Sequence, residues 1–220
     1  MLSGPVAALL VAGGLLSLLV VTGATVGVDQ AILTPLNRAD GVLLVHDLAR
    51  VIVVAGQYRL VEPVVLAVAG WAAYRTRRWR DLAVTAGALL ALDGGAWVLK
   101  HAVGRTAPRT GLDHLLAGGT SFPSGHVATA TVSTLLIVQV LAGARGWTRQ
   151  SARNAWWVAA AVSVLVGVAA VVLAWHWPTD VVGGWIAGAA VFLAAQRLFD
   201  ASSAPAADPQ TVLVAAGDGR

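Results

Sequence analysis

The sequence predicts an all-α membrane protein, a polytopic bundle of about six transmembrane helices. Hydrophobic residues make up 57% of the 220 residues, charged residues make up only 12%, and the mean hydropathy is +0.74. This composition is too apolar for a typical soluble domain. Apolar stretches of roughly 20 residues also recur along the chain, and a helix of that length crosses the hydrocarbon core of a bilayer. A membrane β-barrel would instead show short segments of alternating polarity.

The elements follow from these apolar stretches in order. Residues 5–28 predict a first span, because the stretch is too long for a cleaved signal peptide and lacks a basic start. Residues 29–59 contain several charged residues and predict a loop with a short amphipathic helix. The remaining spans are expected at residues 59–74, 81–103, 124–141, 155–175 and 178–198. Residues 1–200 are then expected to form a single integral-membrane domain, and the small, polar residues 201–220 a disordered cytoplasmic tail.

Arginines dominate the charge of the chain, whose formal net charge is +4 and which contains a single lysine, Lys100. In a membrane protein, basic residues mark cytoplasmic loops, so no nucleic-acid partner is expected. The loops between spans two and three and between spans four and five contain Arg75, Arg77, Arg78, Arg80, Arg145, Arg149 and Arg153. Both loops are therefore predicted to be cytoplasmic. Both termini of this multi-pass cell-membrane protein then face the cytoplasm, and the connections after spans one, three and five face outward.

Three short segments on the outer side carry residues suited to chemistry. The third span ends in LKHAVGRTAPR, the fourth begins with PSGH, and the fifth turns into the sixth through HWPTD. Together they supply Lys100, Arg105, Arg109, Ser124, Gly125, His126, His176 and Asp180. Because the three segments lie at one membrane depth, the sequence predicts a single site that could transfer a phosphoryl group to a histidine.

Each residue type suits a step of that chemistry. An imidazole nitrogen is a competent nucleophile, so His176 could attack phosphorus, and Asp180 could hold the other ring nitrogen. His126 could protonate the leaving oxygen as a general acid. Lys100 and the helix start at residues 124–125 could bind the phosphate, because free N–H groups and the helix dipole favour an anion there. The lack of cysteine excludes disulfides, thiol nucleophiles and a cysteine-bound metal.

Each feature also has a simpler structural interpretation. The PSGH sequence alone predicts a turn with a serine N-cap, and Lys100 alone could extend its amine to the membrane surface. Asp93, seven residues before Lys100, could serve the same site or form a hydrogen bond with a neighbouring helix. The coincidence of all these groups on one face favours the catalytic interpretation.

The same residues resemble the type 2 phosphatidic acid phosphatase family, also called lipid phosphate phosphatases, which are related to the vanadium haloperoxidases. That family has three motifs, Lys-x6-Arg-Pro, Pro-Ser-Gly-His and Ser-Arg-x5-His-x3-Asp. The second motif is complete here. Lys100 and Pro108 keep the ends of the first, and His176 and Asp180 keep the end of the third. The match covers about residues 81–190.

The resemblance implies a metal-independent phosphatase without a cofactor, which acts on a lipid phosphate among membrane lipids. It implies a phosphohistidine intermediate on His176, with His126 as the general acid. The predicted substrate is a lipid phosphomonoester or a polyprenyl pyrophosphate, bound on the extracytoplasmic face.

Two departures from the motifs bear on this expectation. Ala107 and Ala170 occupy the arginine positions of the first and third motifs, so both family arginines that bind phosphate are missing. Arg105 and Arg109 flank the first gap and are predicted to bind the phosphate instead, with Arg105 preferred because it is nearer to Lys100. The alternative is a weak or inactive family member that binds lipid phosphate or acts as a scaffold.

Overall fold

The computed structural model describes residues 4–38, 43–110 and 118–203, and this part of the chain contains helices and no strands. Within these ranges the α-helices are α1 (Gly4–Val21), α2 (Val26–Arg38), α3 (Leu43–Val53), α4 (Tyr58–Thr76), α5 (Trp79–Val103), α6 (Gly125–Arg145), α7 (Arg149–Val172) and α8 (Pro178–Ser203). Short 3₁₀ helices follow α3 at Val54–Gly56 and α5 at Pro108–Thr110.

The fold class predicted from the sequence is confirmed. Among the described helices, α1, α5, α6, α7 and α8 are each long and apolar enough to cross a membrane. α3, with the 3₁₀ turn that follows it, and α4 pass the same test as a pair bent by 47°, which would give a sixth span. α8 continues to Ser203, and the rest of the tail expected at residues 201–220 lies outside the described residues.

The first span and the segment after it differ from the sequence prediction. α1 ends at Val21 rather than near residue 28, and Gly23 then adopts a φ of +75°. Glycine takes this left-handed conformation at little cost. A residue in this conformation cannot continue a right-handed helix, so α1 ends here. The chain becomes helical again at Val26, so much of the predicted loop is α2. Asp29, in the first turn of α2, is fully buried although its charge suggested a solvated loop.

Side-chain caps begin the two helices that carry most of the predicted site. The Ser124 hydroxyl accepts a hydrogen bond from the Val127 N–H at 3.4 Å at the start of α6. α8 begins with Pro178, whose fixed φ suits the first helical position. Asp180, two residues later, accepts the Trp177 N–H at 3.0 Å and thus closes half of a capping box. Both motifs therefore encode helix starts as well as candidate chemistry.

α6 lies at the centre of the bundle and packs against α4, α7 and α8. Its side chains Val132 and Leu136 are fully buried in the main hydrophobic core, together with Phe192 and Phe199 of α8. Because lipid tails are as apolar as these side chains, close packing rather than the expulsion of water must hold the helices together.

Two glycines let α6 and α8 approach closely. A Cβ built on Gly184 would lie 2.7 Å from the Ser124 carbonyl oxygen, and one on Gly188 would lie 2.7 Å from the Thr131 Cβ. Small residues four positions apart are typical of tightly packed membrane helices. The close approach also allows the Ser124 N–H to donate to the Asp180 carbonyl at 2.9 Å, which joins the starts of the two helices.

Antiparallel packing brings the distant motif segments to one end of the bundle. The chain after α5 meets the chain before α6 through the Gly119 N–H, which donates to the Gly104 carbonyl at 3.1 Å. It also meets the turn between α7 and α8, where the Arg109 N–H donates to the Ala174 carbonyl at 3.1 Å. Because successive spans alternate in direction, the two arginine-rich loops lie at the opposite end.

We predict that Gly184→Ala lowers the free energy of unfolding by about 1–3 kcal/mol, because the added methyl group would collide with the backbone of α6. The matched control is Gly87→Ala on α5, where nothing lies within 4 Å of the added Cβ. This control should be neutral or slightly stabilising, since alanine favours a helix. Unfolding by denaturant in detergent measures both variants. Equal effects on stability would contradict the close-contact explanation.

Candidate active site

A cavity of about 760 Å³ opens at the end of the bundle where the motif segments meet. Five residues predicted from the sequence line it: Lys100, Arg109, Gly125, His126 and His176. The convergence expected from the three motifs is therefore present for these residues. Their chemical roles remain predictions.

His176 reaches the cavity from the turn between α7 and α8, and its side chain is only 9% exposed. Two residues earlier, Ala174 has a φ of +50°, which is costly for a residue with a Cβ. Backbone conformations of this kind are often found beside functional sites. The Nδ1 atom of His176 lies 3.4 Å from the hydroxyl of Ser121. This contact leaves the other ring nitrogen, Nε2, for a substrate.

The expected direct hydrogen bond from His176 to Asp180 is not formed. Their closest atoms, Nδ1 and Oδ2, are 3.6 Å apart, which is longer than a hydrogen bond. Oδ2 already accepts the Trp177 N–H of the helix cap, and it also accepts the Ser121 hydroxyl at 2.5 Å. Ser121 thus connects the carboxylate to the imidazole. Sequence reasoning missed it, although a serine just before PSGH was a visible signal.

His126, the second residue of α6, lines the same cavity as His176. The centroids of its ring and the His176 ring are 6.0 Å apart. Its Nε2 atom lies 3.2 Å from Oε1 of Gln57, at the break between α3 and α4. Because a carboxamide oxygen only accepts, this contact requires a proton on Nε2. Gly56 permits the approach, since a Cβ there would collide with the His126 carbonyl oxygen. Nothing in the sequence motifs pointed to Gln57.

The donors around the cavity suit an anion. Lys100 lines the cavity, and its Nζ atom donates to the Thr120 carbonyl at 2.5 Å. The backbone N–H groups of Gly125 and His126, at the start of α6, have no hydrogen-bond partner within the described residues. Such groups at a helix start favour negative charge. Within the same part of the chain, no group of three or more His, Cys, Asp or Glu side chains is arranged to hold a metal ion.

Ser124 has a different position from the one predicted. Its hydroxyl oxygen caps α6, and its N–H donates to the Asp180 carbonyl. The side chain is fully buried and does not line the cavity. Ser124 therefore supports the start of α6 and does not itself reach the cavity.

Arg105 also corrects the sequence prediction. Its guanidinium is 1% exposed, does not line the cavity, and pairs with Asp29 at 2.8 Å and Asp180 at 3.1 Å. It also donates to the Thr179 hydroxyl at 2.8 Å. Two buried carboxylates attract this side chain away from the cavity, and only Arg109 of the two flanking arginines remains exposed beside it. The sequence analysis missed this because it placed Asp29 in a loop.

The two alanines at the family's arginine positions lie in different surroundings. Ala107 lines the cavity, so its position is still open to a longer side chain. Ala170 is fully buried in a hydrophobic cluster with Val166 and Trp177. Its carbonyl accepts the N–H groups of the turn that carries His176.

Asp93 lies on the wall of the same cavity, two helical turns along α5 from Lys100. Its carboxyl group also interacts with that of Glu62 of α4. Both interpretations of Asp93 given by the sequence are therefore compatible with its position.

The comparison with protein families agrees with this geometry. The sequence model of the PAP2 superfamily matches residues 78–203, which is more than half of the chain. The chain belongs to the PAP2 superfamily. The matched segment contains α5, α6, α7 and α8, and with them every residue that the three motifs predicted. The resemblance found from the motifs is thus confirmed.

The fold of this PAP2 chain is similar to that of a solved structure described as the first transmembrane PAP2 type phosphatidylglycerolphosphate phosphatase from Bacillus subtilis. The two share 20% sequence identity with a TM-score of 0.74, over 92% of this chain and 99% of the other. At this identity the likeness shows the fold. None of the curated proteins matches the chain.

We predict that an arginine is tolerated at one of the two motif positions and not at the other. Ala107→Arg should leave the thermal unfolding midpoint almost unchanged, because the new side chain can extend into the cavity. Ala170→Arg should prevent folding or lower stability by more than about 3 kcal/mol, because it places an unpaired charge in a fully buried site. Size-exclusion chromatography and thermal unfolding in detergent test both variants. Equal stability of the two would contradict the assigned positions.

Proposed function

We propose that this PAP2 protein is a membrane phosphatase that hydrolyses a lipid phosphomonoester or a polyprenyl pyrophosphate through a phosphohistidine on His176. The observation that carries the proposal is the pair of imidazoles on one cavity beside Lys100, with ring centroids 6.0 Å apart. Reacting atoms in a productive complex lie about 3–3.5 Å apart. The gap between the rings therefore suits one phosphoryl group between a nucleophile and a general acid.

In the first step, Nε2 of His176 attacks phosphorus, and the bond from phosphorus to the lipid oxygen breaks. His126 enters this step as an imidazolium, with a proton on each ring nitrogen. It gives one of them to that oxygen and becomes neutral, so the product leaves as an alcohol, or as a lipid monophosphate when the substrate is a pyrophosphate. His176 keeps its proton on Nδ1, where it can donate a hydrogen bond to the Ser121 oxygen.

In the second step, water replaces the lipid in the cavity. His126, now without its proton, accepts a proton from the water as the oxygen attacks the phosphohistidine. The nitrogen–phosphorus bond breaks, inorganic phosphate leaves, and both histidines return to their starting states.

Charge balance explains the phosphate site. A bound phosphate monoester carries nearly two negative charges. Lys100 supplies one positive charge, and the α6 start supplies roughly half of one through the N–H groups of Gly125 and His126. Arg109, exposed on the cavity wall, is the side chain placed to supply the remainder, and it takes the compensating role that the sequence analysis gave first to Arg105.

The orientation in the membrane follows from the arginine-rich loops, which lie at the end of the bundle opposite the cavity. The positive-inside rule places those loops and both termini in the cytoplasm and the cavity on the extracytoplasmic side. A site at that depth suits a lipid whose phosphate lies among the headgroups while its tail stays in the bilayer.

A second candidate function is that of a catalytically weak or inactive PAP2 protein that binds lipid phosphate. One observation favours it: Ala107 and Ala170 replace both motif arginines, and Arg105 is engaged elsewhere. Loss of one charge-assisted donor from a transition-state site typically costs on the order of 10²–10³ in rate. Nevertheless, binding alone would not need His176 and its connection to Asp180.

The enzyme proposal predicts that purified protein releases phosphate from at least one lipid in a panel of phosphatidate, phosphatidylglycerol phosphate and polyprenyl pyrophosphate, in the presence of EDTA. His176→Ala should abolish release, and only the wild type should retain acid-labile phosphate on the protein. His101→Ala is the matched control, since His101 is exposed on α5, does not line the cavity among the described residues, and its ring contacts Trp97 of the same helix.

Full activity of His176→Ala would exclude the phosphohistidine mechanism. Wild-type protein that binds these lipids without releasing phosphate, and gains turnover with Ala107→Arg, would support the binding function instead.

The orientation predicts the labelling of introduced cysteines, for which the cysteine-free chain is a clean background. Thr110→Cys, at the cavity end, should react with a membrane-impermeant maleimide in intact cells. Gln150→Cys, at the opposite end and equally exposed, should react only after permeabilisation. The reverse pattern would place the cavity on the cytoplasmic side and would leave the chemical proposal intact.

A further inference from the structure

We infer that Asp29 and Arg105 are positioning residues for His176, acting through Asp180 and Ser121. The inference rests on the proposed function, because it concerns the same histidine. Asp29 lies outside residues 78–203, which the family model matches, so the inference brings α2 into the support of the site.

A fully buried ion-pair network carries the inference. Nη2 of Arg105 is 2.8 Å from Oδ2 of Asp29, and its Nη1 is 3.1 Å from Oδ1 of Asp180. Both carboxylates are 0% exposed, and the guanidinium lies 5.0 Å from the centroid of the Trp177 ring. Because this network is shielded from solvent, water cannot replace a charged partner that is lost.

Asp29 also fixes the start of α8. Its Oδ1 accepts the Thr179 N–H at 2.9 Å, and its Oδ2 accepts the Thr179 hydroxyl at 2.6 Å. The first N–H groups of a helix have no partner within the helix itself. Asp29 therefore caps α8 from another helix, in the same turn in which Asp180 caps it from within.

The network determines how Asp180 faces the histidine. Arg105 holds Oδ1, and the Trp177 N–H and the Ser121 hydroxyl hold Oδ2. A hydroxyl that donates to a carboxylate has its lone pairs free, so the Ser121 oxygen can accept a hydrogen bond from the Nδ1–H of His176. With that proton fixed on Nδ1, the lone pair lies on Nε2, the nitrogen that attacks.

The charge of the network suits the intermediate. Two carboxylates and one guanidinium carry a formal net charge of −1, whereas Arg105 and Asp180 alone would be neutral. When Nε2 bonds to phosphorus and Nδ1 keeps its proton, the imidazole ring becomes positive. The additional negative charge of Asp29 therefore stabilises the positively charged ring of the phosphohistidine. Arg105, Asp180 and Ser121 connect Asp29 to that ring.

The test compares two double variants that make the same chemical change. Asp29→Asn with Arg105→Gln removes the buried pair and preserves the net charge of −1, now on Asp180 alone. Asp47→Asn with Arg50→Gln removes the exposed pair on α3, whose side chains are 68% and 64% exposed. The single variants Asp29→Asn and Arg105→Lys accompany them, because asparagine can still accept the Thr179 N–H and lysine keeps the positive charge.

Two readouts separate positioning from mere stabilisation. The first is kcat and KM on the lipid that the wild type hydrolyses best, corrected for the folded fraction. The second is the ¹⁵N NMR spectrum of labelled histidines, with His176 assigned from His176→Gln. The wild type should show His176 with its proton on Nδ1.

In the buried double variant, we expect kcat to fall at least about 10-fold, within the roughly 10²-fold that a misplacement of 1 Å can cost. KM should change by less than about 2-fold, because Lys100 and Arg109 remain. The His176 signals should change to a mixture of tautomers, while the exposed double variant matches the wild type. Arg105→Lys, which keeps the positive charge, should have a kcat between those of the buried double variant and the wild type. If the buried double variant does not fold, Asp29→Asn must show the same fall in kcat.

An unchanged kcat with unchanged His176 signals in the folded variants would overturn the inference, even if their unfolding midpoints fell. So would an equal loss in the exposed double variant. Failure of the proposed function is distinguishable: a wild type without turnover, or a fully active His176→Ala, would refute the enzyme, while the tautomer of His176 in the buried variants would still decide the positioning role.

Discussion

The ion pairs of Arg105 hold together the part of the molecule on which the site depends. A guanidinium buried in an apolar bundle must be matched by charge and by hydrogen bonds, because an unpaired ion at that depth is very costly. Asp29 of α2 and Asp180 of α8 provide the match, and Arg105 itself follows the end of α5. Three helices that are distant in sequence are thereby fixed next to the turn that carries His176.

The structural and the functional interpretations of the motifs are not alternatives in this protein. Ser124 caps α6, and Asp180 caps α8, because helix starts need acceptors for their free N–H groups. Glycines at positions 184 and 188 then let the two starts meet. The polar side chains that cap α6 and α8 therefore lie together at one end of the bundle. The cavity with its two histidines forms at that end.

The missing motif arginines have unequal structural consequences. At Ala107 the cavity wall is simply shorter, so a positive charge could return without rearrangement. At Ala170 the space is filled by the hydrophobic core, and the backbone supports the His176 turn. Apolar side chains therefore occupy the space around Ala170, and Lys100 and Arg109 are the cations that line the cavity among the described residues.

The sequence by itself determined the class of the fold, most of the span limits and five of the residues that line the cavity. Apolar length reports membrane spans directly, and caps report helix starts, because both depend on local sequence. Only the tertiary structure decided the direction of Arg105, the burial of Asp29 and the roles of Ser121 and Gln57. Arg105 and Asp29 are 76 residues apart, and a long charged side chain turns toward whichever opposite charge is buried beside it. No local pattern contains that information, since the partner is supplied by another helix.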